Sequence, residues 1–204
     1  MTGGYMGRLL CVDLTKGTWT DREISEELAR KYIGGSGLGA RLLFDQTRAE
    51  TDPLGEDNVL MFLTGPLTET AVPMAGRYAV VTKSPLGIWG EGDCGGSWGS
   101  MLKRTGYDGI LVVGRSEKPV YLWITDEGVS LRDAGHLWGR DTIETDEMVK
   151  AETSAKAVVA CIGPAGEKLA KMAVVLSDGK HARVSGRGGV GAVMGSKKLK
   201  ALSV

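Results

Sequence analysis

The sequence predicts an α+β fold with two mainly antiparallel β-sheets, a pseudo-twofold internal duplication and a few helices. Apolar runs of strand length outnumber helical segments, and several neighbouring runs are joined by hairpin turns. Glycine contributes 31 of the 204 residues and falls in discrete clusters between the apolar runs. Because such clusters occur at tight turns or where backbone approaches a ligand closely, they indicate both element boundaries and candidate binding loops.

The N-terminal quarter predicts a hairpin followed by two helical pieces. Residues 7–24 alternate in polarity on either side of a turn at residues 15–17. Ser25 then has the character of a helix N-cap, with two glutamates directly after it. We expect this helix to end near Ile33, the chain to break at residues 34–37, and a second helix to cover residues 38–45.

The remaining chain is predicted to be rich in strands. The strand candidates are residues 59–63, 78–82, 109–113, 120–125, 129–132, 157–162 and 172–176. Residues 126–128 are a hairpin turn between two of them. Residues 141–152 predict an amphipathic helix with Ile143, Met148 and Val149 facing inward. A short helix is expected near residues 98–104.

Four short motifs recur in the same order and suggest the duplication. The first copy has Gly65-Pro66, Ala79-Val80-Val81, Gly95-Gly96 and Leu102-Lys103, and the second has Gly163-Pro164, Ala173-Val174-Val175, Gly188-Gly189 and Leu199-Lys200. The alanine precedes the glycine pair by 16 residues in one copy and by 15 in the other. Chance matching of short motifs is the alternative. A true duplication predicts two equivalent glycine-lined loops, which suit a ligand made of two similar halves.

The two glycine loops, residues 89–99 and 185–192, are candidate anion sites. Each precedes a predicted helix, and unpaired glycine amides at that position bind phosphate well; a tight turn without a ligand is the plain alternative. Gly186, Gly188 and Gly191 also satisfy the G-x-G-x-x-G spacing of dinucleotide-binding folds. That motif requires a strand directly before it, and residues 180–184 make a poor one, so a nucleotide-binding fold is disfavoured.

Side chains beside the two loops support the hypothesis that the loops bind an anion. Arg77, Arg183 and Arg187 flank them, and a guanidinium group binds phosphate through two parallel hydrogen bonds. Surface salt bridges are the alternative for each arginine. Asp93 either accepts hydrogen bonds from a ligand or caps the following helix. Cys94 is either a reactive thiol or, as is commoner without a neighbouring histidine, a small packing residue.

Composition excludes several classes of function. Lys plus Arg and Asp plus Glu number 25 each, whereas nucleic-acid-binding and membrane-surface proteins usually carry a basic excess. Neither a signal peptide nor an apolar run of membrane-spanning length is visible, so we expect a cytoplasmic protein. Three scattered cysteines and two histidines lack the spacing of a zinc or iron–sulfur site.

Several longer strings resemble the aldehyde ferredoxin oxidoreductase family. They include Thr64-Gly-Pro-Leu-Thr68, Leu102-Lys-Arg-Thr-Gly-Tyr-Asp-Gly109 and Ile162-Gly-Pro-Ala-Gly-Glu167, together with residues 74–86, 117–121, 136–139 and 186–197. The likeness runs in order through essentially all of residues 1–204 and corresponds to the N-terminal domain of that family.

The resemblance implies a domain that cradles a tungsten (or molybdenum) bis-pterin cofactor whose two phosphates are bridged by magnesium. The residues that match the family's cofactor contacts are Arg77, Asp93, Gly95, Arg183, Val184, Gly186 and Arg187, and their loop neighbours Cys94, Gly96 and Gly188 complete the candidate set. No catalytic or metal-ligating residue is expected in this chain. In two loops the chain departs from the family: Asp93-Cys94 stands where Asn-Ser is usual, and Val184-Ser185 where Ala-Ala is usual.

The resemblance also implies what the rest of such an enzyme supplies. Downstream domains, absent from this chain, would hold a [4Fe–4S] cluster, and the complete enzyme would oxidise an aldehyde with water and pass electrons to ferredoxin. The expected partners are those domains, ferredoxin, the aldehyde and a second copy in a homodimer, without nucleic acid or membrane. The alternatives are a related tungsten or molybdenum reductase, for example of an aromatic thioester, and a non-catalytic pterin-binding module.

Overall fold

A computed structural model describes residues 3–204 and divides them into two halves, each built around a six-stranded sheet. The first half contains β1 (Arg8–Asp13), β2 (Thr18–Glu23), α1 (Glu26–Tyr32), α2 (Gly35–Gln46), β3 (Leu60–Thr64), β4 (Tyr78–Lys83), β5 (Trp89–Cys94), α3 (Trp98–Arg104) and β6 (Gly109–Val113). The second contains β7 (Val120–Ile124), β8 (Val129–Asp133), α4 (Thr142–Glu152), β9 (Val159–Cys161), α5 (Pro164–Glu167), β10 (Val175–Ser177), β11 (Arg183–Ser185), α6 (Val190–Ser196) and β12 (Leu199–Ser203).

Both sheets have the same topology, which confirms the predicted duplication. The strand order is β2-β1-β6-β3-β4-β5 in the first sheet and β8-β7-β12-β9-β10-β11 in the second. Adding six to each strand number of the first sheet reproduces the second. Each sheet has one parallel pair, β1 with β6 and β7 with β12, and its other neighbours are antiparallel. The prediction of two mainly antiparallel sheets is therefore confirmed.

One of the four recurring motifs was matched wrongly. The Gly-Pro pairs follow β3 and β9, and the glycine pairs precede α3 and α6, as a duplication requires. Lys103, however, lies in α3, whereas Lys200 lies in β12. The Leu-Lys match was a coincidence of sequence, because those residues occupy different elements of the two halves.

The two sheets share one apolar core, and helices cover their outer faces. Trp98 of α3 is fully buried there, packs against Phe62 and Tyr78 with its ring tilted to both, and donates its indole N–H to the carbonyl of Leu202 over 3.1 Å. α3 and α6 both contribute to this central core, while α1 and α2 cover the first sheet and α4 covers the second. The halves thus form one folding unit, since residues of both contribute to one core cluster and Trp98 of the first half donates to the backbone of the second.

Several predicted boundaries hold and others need correction. The Ser25 hydroxyl caps α1 at the amide of Leu28, as expected. The break after α1 is confined to Ile33 and Gly34, because α2 already begins at Gly35. In α4, Val149 is buried but Ile143 is 42% exposed, so its predicted inward orientation is wrong. Within residues 3–204, none of the helices is long and apolar enough to cross a bilayer.

Three strands, β5, β11 and β12, were missed and one was misplaced. β5 was interpreted as a loop because Gly90 and Gly92 interrupt its apolar pattern, and β11 has only three residues. β10 covers Val175–Ser177 rather than residues 172–176. Tertiary contact, and not local propensity, selects the extended backbone in these segments.

Candidate functional site

The edge strands β5 and β11, which are equivalent in the two halves, meet at the centre of the molecule. The Ser185 hydroxyl donates to the carbonyl of Gly92 over 2.8 Å. A Cβ on Gly92 would lie 2.3 Å from the Ser185 Oγ, and one on Gly188 would lie 2.8 Å from the amide nitrogen of Glu91. Glycine is therefore required at both positions, since any side chain would push the strands apart.

Successive residues of β5 alternate between the two faces of the strand. Gly90 and Gly92 are buried against the second half, while Trp89, Glu91 and Asp93 face the opposite way. The Glu91 carboxylate is fixed by hydrogen bonds from the Trp89 indole, at 3.1 Å, and from the Ser36 hydroxyl. Asp93, in contrast, is exposed.

A cavity of about 780 Å³ opens between the two edge strands. Its lining residues are Ser84, Leu86, Ile88, Trp89, Glu91, Gly92 and Asp93 from the first half and Val184, Gly186, Arg187 and Gly188 from the second. The structure therefore brings five of the predicted site residues, one from the first half and four from the second, to a single cavity of the size that ligand sites commonly have.

The remaining candidates lie where the first glycine segment contacts the second half. A Cβ on Gly96 would lie 2.8 Å from the Arg183 Cγ and 2.3 Å from the Asp178 Oδ2. The amide of Ser97 donates to Asp178 Oδ1 over 2.8 Å. We call residues 93–97 the first glycine arm and residues 183–189 the second. Each arm is therefore held against the opposite half of the molecule.

The three arginines beside the arms are exposed. Arg77, Arg183 and Arg187 have no ion-pair partner anywhere in the described part of the chain. The salt-bridge alternative therefore finds no support within residues 3–204. Guanidinium groups that are free of carboxylates and adjacent to glycine backbone are suited to binding an anion.

Cys94 differs from its neighbours in the first arm. Its thiol is buried in the shared core, with the sulfur 3.5 Å from the Ser177 hydroxyl oxygen. Burial raises the pKa of this thiol above its ordinary value, which opposes formation of the reactive thiolate. The packing interpretation fits this position, and any contact of Cys94 with a ligand in the cavity would be through its backbone.

Alkylation should report this burial directly. We expect iodoacetamide at neutral pH to leave Cys94 and Cys161 unmodified in the folded protein, because burial also raises the pKa of Cys161 to about 12. Cys11, which is only partly buried, serves as the internal comparison, and all three should react in guanidinium chloride. Peptide mass spectrometry measures the outcome. Labelling of Cys94 at the same rate in folded and unfolded protein would contradict the assigned burial.

Sequence reasoning missed Ser36, Glu91 and Asp178, which support the site from outside the glycine arms. The alternation of Trp89, Glu91 and Asp93 with glycine was a usable signal for a strand with one open face. No local pattern marks Ser36 or Asp178, because their partners are distant in sequence.

Comparison of the fold defines the class of protein. The whole chain superposes on a chain of the active site complex BamBC of benzoyl coenzyme A reductase in complex with 1,5-dienoyl-CoA, with a TM-score of 0.96 and 38% identity. The match covers 100% of this chain and 31% of that one. The duplicated two-sheet fold is therefore that of a domain found in oxidoreductase complexes.

Sequence comparison then gives the family. The model of the aldehyde ferredoxin oxidoreductase N-terminal domain matches residues 9–204, and the chain belongs to that family. It is 48% and 50% identical to tungsten-containing aldehyde ferredoxin oxidoreductases of Pyrococcus furiosus and Thermococcus kodakarensis, over 98% of this chain. It is 39% identical to an aliphatic sulfonate oxidoreductase, WOR-like subunit, of P. furiosus. The chain spans about a third of the length of these relatives.

Proposed function

We propose that this domain holds a tungsten bis-pterin between its two glycine arms, as part of an enzyme that oxidises aldehydes to carboxylates. One observation carries the proposal: Asp93 of the first arm and four residues of the second arm line one cavity, and each arm has an adjacent arginine without an ion-pair partner among residues 3–204. A ligand with two similar phosphorylated halves fits such an arrangement. Tungsten in the names of the relatives agrees with it.

The residues present fit the proposed cofactor. Arg77 would serve one phosphorylated half, and Arg183 and Arg187 the other, through charge-assisted hydrogen bonds. The backbone at Gly95, Val184 and Gly186 would approach the ligand where no bulky side chain intervenes. The open faces at Gly95 and Gly186 have room for this, since a Cβ at Gly95 would meet nothing within 4 Å and one at Gly186 only the Val184 side chain, at 3.7 Å.

Asp93 places a carboxylate among these positive groups. A carboxylate beside phosphates is unfavourable unless a cation lies between them, and carboxylate oxygen is a preferred ligand of Mg²⁺. We therefore propose that a magnesium ion bound with the cofactor would offset the charge of the Asp93 carboxylate. Glu91 also lines the cavity, and its two carboxylate oxygens already accept hydrogen bonds from the Trp89 indole and the Ser36 hydroxyl.

The complete enzyme would convert an aldehyde and water into a carboxylate, two electrons and three protons. When bound, the cofactor would supply a metal centre that accepts the two electrons, which a [4Fe–4S] cluster in the downstream domains would pass to ferredoxin. The residues of this chain would bind and orient the cofactor. A homodimer and a cytoplasmic location remain predictions of the sequence.

A related reductase is the second candidate, because the fold matches a benzoyl coenzyme A reductase component over the whole chain. Identity to the aldehyde-named relatives is higher, at 48% and 50% against 38%, and this favours aldehyde oxidation.

Metal analysis of the natively expressed full-length protein, combined with two assays, tests the proposal. We expect tungsten and iron in the purified protein, together with aldehyde-dependent reduction of ferredoxin. Oxidation or reduction of an aromatic thioester, without aldehyde activity, would favour the second candidate. Protein that holds iron but neither tungsten nor molybdenum would overturn the assigned role of the arms.

A further inference from the structure

The second glycine arm leads directly into α6, which is buried along its whole length. All seven residues from Val190 to Ser196 are buried, and the helix packs without space for side chains on its glycines. A Cβ on Gly191 would lie 2.4 Å from the carbonyl oxygen of Val174. At 1.5 Å per residue, α6 is a rigid rod of about 10 Å with the arm at one end.

The other end of this rod carries Lys197, whose side chain is fully buried. Its ammonium group donates to three backbone carbonyls of the first half, those of Asn58 at 2.5 Å, Gly114 at 3.0 Å and Glu56 at 3.4 Å. The Arg115 guanidinium lies beside it and donates to the carbonyls of Ser196 and Leu54, each over 2.7 Å. Two cations therefore fix the negative end of α6, and the ammonium ties it to the opposite half.

The first arm has a comparable but chemically different anchor. Its helix, α3, contains the buried Lys103, whose ammonium lies 3.1 Å from a carboxylate oxygen of Asp108 and also donates to the carbonyl of Gly4. Lys103 thus has an anionic partner, whereas Lys197 has only neutral carbonyls. The charged groups nearest Lys197 are Arg115 on the segment after β6, and Glu56 and Asp57 on the segment before β3.

From this geometry we infer that Lys197 is a positioning residue for the second glycine arm. Its ammonium group holds α6, and with it the arm, against the three carbonyls of the first half. The second arm stays against β5 as long as the ammonium group donates hydrogen bonds to all three carbonyls. A neutral amine has one donor fewer and no charge, so it cannot bind the three carbonyls in the same way. The inference rests on the proposed function only where it identifies the arm as a cofactor contact.

The anchor should therefore respond to pH. Burial, together with the Arg115 guanidinium, lowers the pKa of the Lys197 ammonium to about 8, and the carboxylates of Glu56 and Asp57 oppose this shift. The ammonium is charged at pH 6.5 and largely neutral at pH 9. The first arm, whose helix is held through the ion pair of Lys103 with Asp108, is the internal comparison.

Hydrogen exchange on the cofactor-free full-length protein provides the test. We expect amide protection of the second arm to fall by about tenfold between pH 6.5 and 9, after correction for the intrinsic exchange rate, with that of the first arm unchanged. Equal protection of the second arm at both pH values would overturn the inference. So would a parallel loss in both arms, which would indicate a global opening.

A pair of crossed variants adds a second test. Lys197→Met should expose the second arm at both pH values and abolish its pH dependence, while Lys103→Met should affect the first arm alone. If Lys197→Met fails to fold, the pH series on the unchanged protein still decides. Protein that shows this exchange pattern but binds no tungsten would remove the proposed cofactor and leave the role of Lys197 standing. Protein that binds tungsten but lacks this exchange pattern would overturn the role of Lys197 and leave the proposed cofactor standing.

Discussion

Replacing Gly195 by alanine is expected to cause a large loss of stability. Gly195 lies in α6 at the centre of the molecule, and its Cβ would lie 2.0 Å from the carbonyl oxygen of Gly166. Overpacking a core costs about 1–3 kcal/mol when side chains can move aside. Here both sides of the contact are helix backbone, and both Gly195 and Gly166 are buried, so we expect more than about 3 kcal/mol.

Gly128→Ala is the matched control for this substitution. Gly128 lies in the β7–β8 turn, and a Cβ there would meet nothing within 4 Å. For a domain of this size, 3 kcal/mol corresponds to a fall of about 10 °C in melting temperature, whereas Gly128→Ala should shift it by about 2 °C at most. Thermal unfolding followed by circular dichroism measures both. Equal melting temperatures for the two variants would show that α6 has room to move.

Removing Arg183 and Arg187 together is expected to abolish stable cofactor binding. A hydrogen bond to a charged group contributes about 1.5–3 kcal/mol, so two such losses correspond to roughly a 100-fold or greater loss of affinity. Both side chains are exposed and lack ion-pair partners among residues 3–204, so the fold itself should be unaffected. Tungsten content per polypeptide after gel filtration of the full-length protein measures the effect.

Two further variants separate charge from geometry. Arg187→Lys keeps a positive charge but loses the planar pair of donors, so its tungsten content should lie between those of the parent and the double variant. Arg22→Ala, on the exposed edge strand β2, should retain the parent content. If the double variant binds as much tungsten as Arg22→Ala does, the arginines are not cofactor contacts.

The sequence was sufficient to predict elements whose stability is local. The first hairpin, the Ser25 cap and the N-terminal end of α4 all depend on residues within a few positions of each other. The Asp141 carboxylate accepts from the amides of Ile143 and Glu144, and the Glu144 carboxylate accepts from the amide of Asp141. These bonds need no partner from outside the segment.

Elements that depend on the opposite half were harder to predict. β5 contains glycine where strands usually contain branched side chains, and only contact with Ser185 and Gly188 explains this. The glycine arms and arginines were visible as motifs, and the family resemblance assigned them a ligand. Lys197 was hidden, because its three carbonyl partners lie 83 to 141 residues away in sequence.

The meeting of β5 with β11 has a consequence for handling the protein. Each is the outermost strand of its sheet, and they touch through side-chain and glycine contacts without forming a continuous ladder. Unsatisfied main-chain groups along such strands recruit strands of other molecules and lead to aggregation. A ligand seated between them would shield those groups, so protein prepared without tungsten is expected to precipitate more readily than loaded protein at equal concentration.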